Sequence, residues 1–243
     1  MRIPRIYTSQ ALSNGQQLEL EERAAHYLLQ VLRMKVGRSV RLFNGDGNDY
    51  LATISDANRR QLWCSVTDVD SSQDCESPLR IELGIGLSKG DRMDWVVQKA
   101  TELGVARIVP LRSERVDVKL NAEREEKKWR HWQQVMISAC EQSGRSQLVD
   151  VATPQELEHW IDSCRADYKA VLSPHHGEGV APPPAPNSVA LLVGPEGGLT
   201  DDEVARSIEL GFNCMALGPR ILRTETAPLA AISVLQARWG DFT

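Results

Sequence analysis

From Leu79 onward, apolar runs of strand length alternate with segments of helical periodicity, and this constrains the fold more than any other feature. Leu79–Leu87, Ala106–Leu111, Tyr168–Leu172, Ser188–Val193 and Cys214–Leu217 read as strands. Asp91–Leu103, Glu123–Gln142, Asp201–Leu210 and Ala227–Trp239 read as helices between or after them. Such alternation predicts an α/β fold, a mostly parallel sheet covered on both faces. Ligands of such sheets bind beyond the carboxyl ends of the strands. The segments after Val193 and Leu217 are therefore the first places to look.

The chain before Ser71 reads differently. VRLF (Val40–Phe43) runs into Asn44-Gly45-Asp46-Gly47, a turn signal, and extended patterns resume at Tyr50–Ile54 and Gln61–Val69. A helix is expected over Glu21–Met34, with Ala24, Leu28, Val31 and Leu32 on one face. SSQDCESP (Ser71–Pro78) has linker character, which predicts a small β-rich domain over 1–73 and an α/β domain over 74–243. The Pro-rich APPPAPN (Ala181–Asn187) reads as a surface loop in the latter.

Charge and cysteine content narrow the function classes. The 28 Lys and Arg against 33 Asp and Glu give a net charge of −5, which excludes a wholesale polycation. Residues 1–48 nevertheless carry seven basic groups against four acidic ones, a local surplus suited to phosphate contacts. The five cysteines form no CxxC pair, so a reducing compartment is expected, without disulfide framework or zinc knuckle. MRIPRIYTSQ contains no apolar core of a signal peptide, and a cytoplasmic protein is expected. His175-His176-Gly177-Glu178 lacks further ligands nearby in sequence, so no metal is expected there.

Two loops carry the chemistry. Gly194-Pro195-Glu196-Gly197-Gly198-Leu199-Thr200-Asp201 follows an apolar strand, and its glycines let backbone amides approach a ligand. It is neither a P-loop nor a dinucleotide fingerprint. The second, Leu217-Gly218-Pro219-Arg220-Ile221-Leu222-Arg223-Thr224-Glu225-Thr226-Ala227-Pro228, again joins a strand to a helix. Thr224 or Thr226 is placed to cap that helix, and Glu225 sits near its positive end. Trp129 and Trp132, three apart on one helix, are expected to bury a core or dimer face.

LLVGPEGGLTDDE together with LGPRILRTETAPLAAI resembles the cofactor-binding end of the SPOUT methyltransferases. The blocks RIY, HYLLQVLRMKVG, LFNGDG, LSKGDRMDWVVQKATELGV, IVPLRSER and ACEQSGR extend the resemblance over nearly the whole chain, toward members that methylate small-subunit ribosomal RNA. QLVDV after Arg145 departs from it, where many relatives carry a proline. The resemblance implies an α/β domain with a parallel sheet and a deep trefoil knot, a PUA-like N-terminal β-barrel that holds RNA, and a homodimer without metal. It implies S-adenosylmethionine as cofactor and N3 of a uridine at the 16S decoding site as methyl acceptor.

Cofactor contacts are then expected from Leu172, Val193, Gly194, Pro195, Glu196, Gly197, Gly198, Leu217, Gly218, Ile221, Leu222, Thr224, Thr226 and Ala227. An imide N3 must lose its proton before it can attack, so a base is needed. Glu225 and Glu196 are candidate bases, an anion-stabilising cation is the alternative requirement, and Arg223 is a candidate either to stabilise the imide anion or to orient the base. RNA contacts are expected from Arg2, Arg5, His26, Arg33, Lys89, Arg92, Arg112, Arg115, Gln142 and Arg145. Methylation of a ribose 2′-hydroxyl, and a non-catalytic role in ribosome assembly, are the competing readings.

Overall fold

A computed structural model describes residues 3–71, 75–116, 121–173 and 185–242. Arg2, the His175-His176 pair, and Ala181–Pro184 of the Pro-rich loop lie outside the described residues. The chain divides into two compact units, one of Met1–Glu76 with Cys140–Leu148, the other of Ser77–Ala139 with Val149–Thr243. The sequence division placed after residue 73 did not anticipate that Cys140–Leu148 joins the first unit.

The first unit is built on β1 (Arg5–Tyr7), β2 (Gln17–Glu19), β3 (Ser39–Phe43), β4 (Asp49–Ala57) and β5 (Leu62–Asp70), ordered β1-β3-β4-β5-β2. The β1–β3 pair is parallel and the others antiparallel. Alternation along these strands turns Val40, Leu42, Ala52, Ile54, Leu62 and Cys64 into one core. The expected helix over Glu21–Met34 is a correction: α1 (Glu22–His26) passes into a π-helical turn, Tyr27–Val31. There the Leu32 amide reaches back to Tyr27 O, five residues away, and Arg33 takes φ 52°. The wider turn rotates later side chains off the α-helical face. Ala24 and Leu28 are buried, whereas Val31 and Leu32 are exposed.

The same unit contains a buried ionic tie. Arg5 donates to both Asp49 carboxylate oxygens (3.0 and 2.7 Å), to Cys140 O and to Ser146 Oγ. Burial pushes the Asp49 carboxyl upward, but hydrogen bonds from Arg5 and Ser146 and the charges of Arg5 and Arg41 outweigh it and hold the pKa below its usual value. These bonds bring Cys140–Leu148 into this unit.

The second unit comprises β6 (Arg80–Gly86), α2 (Arg92–Glu102), β7 (Arg107–Arg112), α3 (Ala122–Ser143, whose last turn belongs to the first unit), β8 (Asp150–Val151), β9 (Gln155–Glu156), α4 (Leu157–Ser163), β10 (Tyr168–Leu172), β11 (Ser188–Val193), α5 (Asp201–Glu209), β12 (Asn213–Met215) and α6 (Thr226–Trp239). Its sheet runs β12-β10-β11-β6-β7-β8, with β9 also on β7, and every pairing is parallel. β11 is buried from Val189 to Val193, as expected of a strand with helices on both faces. Trp132 is buried, and the Trp129 indole donates to Val151 O at 2.8 Å, so both serve packing within this unit. β10 sits between β11 and β12 and is parallel to both, so the carboxyl ends of the three lie side by side. No helix among the described residues is long and apolar enough to cross a membrane.

Candidate active site

Both Gly-Pro loops leave these adjacent strand ends and wall one cavity of about 280 Å³. Gly86, ending β6, makes room for the first loop. A Cβ there would lie 2.4 Å from Pro195 N, closer than any real contact. Leu172, Val193, Gly194, Pro195, Glu196, Gly197 and Gly198 line one side. Leu217, Gly218, Ile221, Leu222, Thr224 and Ala227 line the other. Thr226 does not line this cavity; it faces a neighbouring depression with Cys214, Ala230 and Val234.

The first loop is tied through the Glu196 carboxylate, two of its carbonyls and the start of the next helix. The Glu196 carboxylate accepts from the Lys89 amide at 3.0 Å and from Arg92 Nη1 at 2.6 Å. Burial raises its pKa, but hydrogen bonds from its own amide, the Lys89 amide and Arg92 prevail and hold it below 4.5. That makes Glu196 a poor proton acceptor. Arg115 Nη1 donates to Gly197 O (3.2 Å) and Leu199 O (3.3 Å). A Cβ on Gly197 would stand 3.1 Å from Arg115 Cβ, so this glycine serves the clamp as well as any ligand. Thr200 then starts α5 with a complete capping box, its hydroxyl accepting from Glu203 N while the Glu203 side chain accepts from Thr200 N.

The second loop is open. Neither Thr224 nor Thr226 caps α6, a correction to the sequence expectation. Glu225 is the N-cap residue, in αR conformation, and forms no side-chain cap bond. With ψ at −24° instead of the extended value of a capping residue, its side chain is not folded back over the first turn. Its carboxylate is left 3.8 Å from Arg92 Nε, ion-pair distance without a hydrogen bond. Arg223 is exposed and its guanidinium has no partner among the described residues. Ile221 is 81% exposed.

The basic residues expected at RNA divide sharply. Arg5 is consumed by Asp49, and Arg145, buried, is bonded to Glu76 at 2.5 Å. Arg112 pairs with Glu125 and Glu156, and Arg92 with Glu196. Arg115 holds the first loop. These five act as internal ties, because in each case carboxylates or carbonyls already occupy the guanidinium. His26, Arg33, Lys89 and Gln142 are exposed. Sequence reading missed Ser173, Met215, Ala216, Asp201 and Arg220 in the cavity wall. The signal was register: β10 pairs Leu172 with Met215, and Ser173 N donates to Met215 O, so one strand end implies its neighbour. The strand expected over Cys214–Leu217 ends at Met215, which frees Ala216 and Leu217 to face the cavity. Among the described residues no cluster of three or more His, Cys, Asp or Glu is disposed to hold a metal.

Comparison with known proteins places this geometry. A family model described as an RNA methyltransferase domain matches residues 75–236, and one described as an RNA methyltransferase PUA domain matches residues 20–67. Ribosomal RNA small subunit methyltransferase E of Buchnera aphidicola is 36% identical over 247 residues, covering 100% of this chain and 99% of that protein. Its namesake from Neisseria gonorrhoeae, solved bound to S-adenosyl methionine, is 38% identical with a TM-score of 0.92 over 100% of both chains. A Legionella pneumophila protein solved with the bound cofactor SAM is 41% identical, with a TM-score of 0.94 over 100% of both chains.

Proposed function

Because the chain belongs to the ribosomal RNA small subunit methyltransferase E family, we propose that it moves a methyl group from S-adenosylmethionine to N3 of a uridine at the decoding site of 16S rRNA, on the assembled small subunit. The observation that carries this reading is a cavity walled on one side by a tied, glycine-rich loop and on the other by an open loop whose Arg223 and Glu225 lie outside the cavity lining, Glu225 in the groove beside Arg92.

The cavity suits the cofactor chemically. Leu172, Val193, Leu217, Ile221 and Leu222 offer apolar surface to an adenine ring, and the acidic Glu196 and Asp201 suit a ligand bearing ammonium and sulfonium charges. Bound there, the cofactor supplies a methyl group on an electron-poor sulfonium carbon. The chain then has to align the nucleophile and set its charge. Glu225, without a hydrogen bond among the described residues, takes the N3 proton of the uridine, and Arg223 stabilises the resulting imide anion. Glu196 serves the loop through Arg92 and takes no proton.

The exposed Tyr27, Val31, Leu32 and Val36 lie in one chain segment with the exposed Arg33 and Lys35 in the first unit, a mixture suited to RNA bases and phosphates. A homodimer is supported by Ile221 and Val234, which stay exposed beside the cavity. The trefoil knot and a cytoplasmic location belong to the same reading, supported by the family likeness.

The test is incubation with labelled S-adenosylmethionine and small subunits lacking the modification, followed by nucleoside mass spectrometry. Label in N3-methyluridine is expected. Label in a 2′-O-methyl nucleoside would overturn the assigned atom, and absence of label would favour an assembly factor.

A further inference from the structure

On α2 the residues Met93, Val96, Val97, Ala100 and Thr101 are buried, so the helix satisfies its core without Trp95. Trp95 is 51% exposed. It lines an open groove of about 670 Å³ together with Lys89, Gly90, Asp91, Arg92 and Glu225. Lys99, itself bonded to Glu102 at 2.8 Å, places its ammonium 5.2 Å from the Trp95 ring centroid and holds the indole from within the helix. Arg92 links this groove to the cofactor cavity, for it bonds Glu196 in the cavity wall and approaches Glu225 in the groove wall.

A half-exposed indole beside cations and a carboxylate is a poor surface for an apolar partner and a good one for a pyrimidine. Uracil has a π-face, one N–H donor at N3 and two flanking carbonyl acceptors. The groove supplies the Trp95 ring for the face, the Glu225 carboxylate for the N3 donor and the cation of Lys89 for a carbonyl, while Arg92 stays tied to Glu196. We propose that this groove seats the target base, with Trp95 as its stacking platform and Glu225 facing N3. The assignment rests on the uridine-N3 reading above and adds the residue that holds the base.

The experiment compares the wild-type enzyme with Trp95→Ala, Trp95→Leu and Trp95→Phe on small subunits lacking the modification. It reads KM for subunits and kcat, cofactor affinity by calorimetry, and particle mass by light scattering. Trp95→Ala and Trp95→Leu are expected to raise KM for subunits on the order of tenfold, with cofactor affinity and mass unchanged, and Trp95→Phe to restore most of the loss. Unchanged KM in the alanine variant, equal rescue by leucine and phenylalanine, or an altered mass would each overturn the proposal. Failure of the uridine-N3 reading shows separately, as wild-type product without label in N3-methyluridine.

Discussion

The two Gly-Pro loops have similar sequences and positions, yet the structure treats them in opposite ways. In the first, Arg92, the Lys89 amide and Arg115 tie down Glu196, Gly197 and Leu199, and a capping box begins the next helix. In the second, no amide from Gly218 to Glu225 donates a hydrogen bond among the described residues, and Arg220 and Arg223 stand unpaired. On the proposed function the contrast is a division of labour. The loop that presents backbone to the cofactor is preorganised, so little ordering is left to the binding step. The loop proposed to meet the nucleic acid and handle the proton keeps its charged groups available.

Breaking the chemical wall is expected to cost most. Glu225→Gln should lower kcat by about 10²- to 10⁴-fold, the usual share of a general base, with cofactor affinity measured by calorimetry within about twofold of wild type. A parallel loss of affinity would place Glu225 in the binding wall. Arg223→Ala follows in size, with loss in turnover exceeding loss in cofactor affinity under single-turnover conditions.

The tied wall should respond in the opposite sense. Gly197→Val forces a side chain against Arg115, and Arg115→Ala removes two charge-assisted bonds to loop carbonyls. Each should weaken cofactor binding by roughly tenfold or more, the arginine variant because a hydrogen bond to a charged group contributes about 1.5–3 kcal/mol net. At saturating cofactor, turnover of Arg115→Ala should recover. Unchanged calorimetric affinity in both variants would erase the distinction between the loops.

The smallest effect is on pH. Because the folded pKa of Glu196 lies below its usual 4.5, its tie is complete above that value and is lost as pH falls through the lower folded one. The melting-temperature gap between wild type and Glu196→Gln should therefore stay constant from neutral pH to about 5 and close in more acidic buffer. A gap that closes near neutral pH would mean another group controls the loop.

Much of this was legible in the sequence because it followed local rules. Apolar runs such as VALLV and the Gly-Pro pairs mark the strand ends and their loops, and Thr200 with Glu203 marks a cap. What escaped depends on partners distant in the chain. Arg5 and Arg145 look like phosphate ligands until Asp49 and Glu76 are seen on them. Arg115 becomes a loop clamp only when β7 and β11 lie in one sheet. The π-turn at Tyr27–Val31 escaped because α and π hydrogen bonds differ in span by a single residue, too little for an apolar pattern of four residues to reveal. Cys140–Leu148 escaped because its attachment to the first unit rests on single side chains such as Arg5 and Ser146.

The contrast between the loops can be read directly by amide hydrogen exchange with mass spectrometry, on the free protein and after addition of S-adenosylmethionine. The account predicts that the amides of Gly198 and Thr200, which donate to Pro195 O and the Glu203 carboxylate, are already protected in the free protein and change little, while residues 218–225 exchange quickly until the cofactor is present. Equal protection of both sets in the free protein, or protection gained chiefly at Gly198 and Thr200, would contradict it.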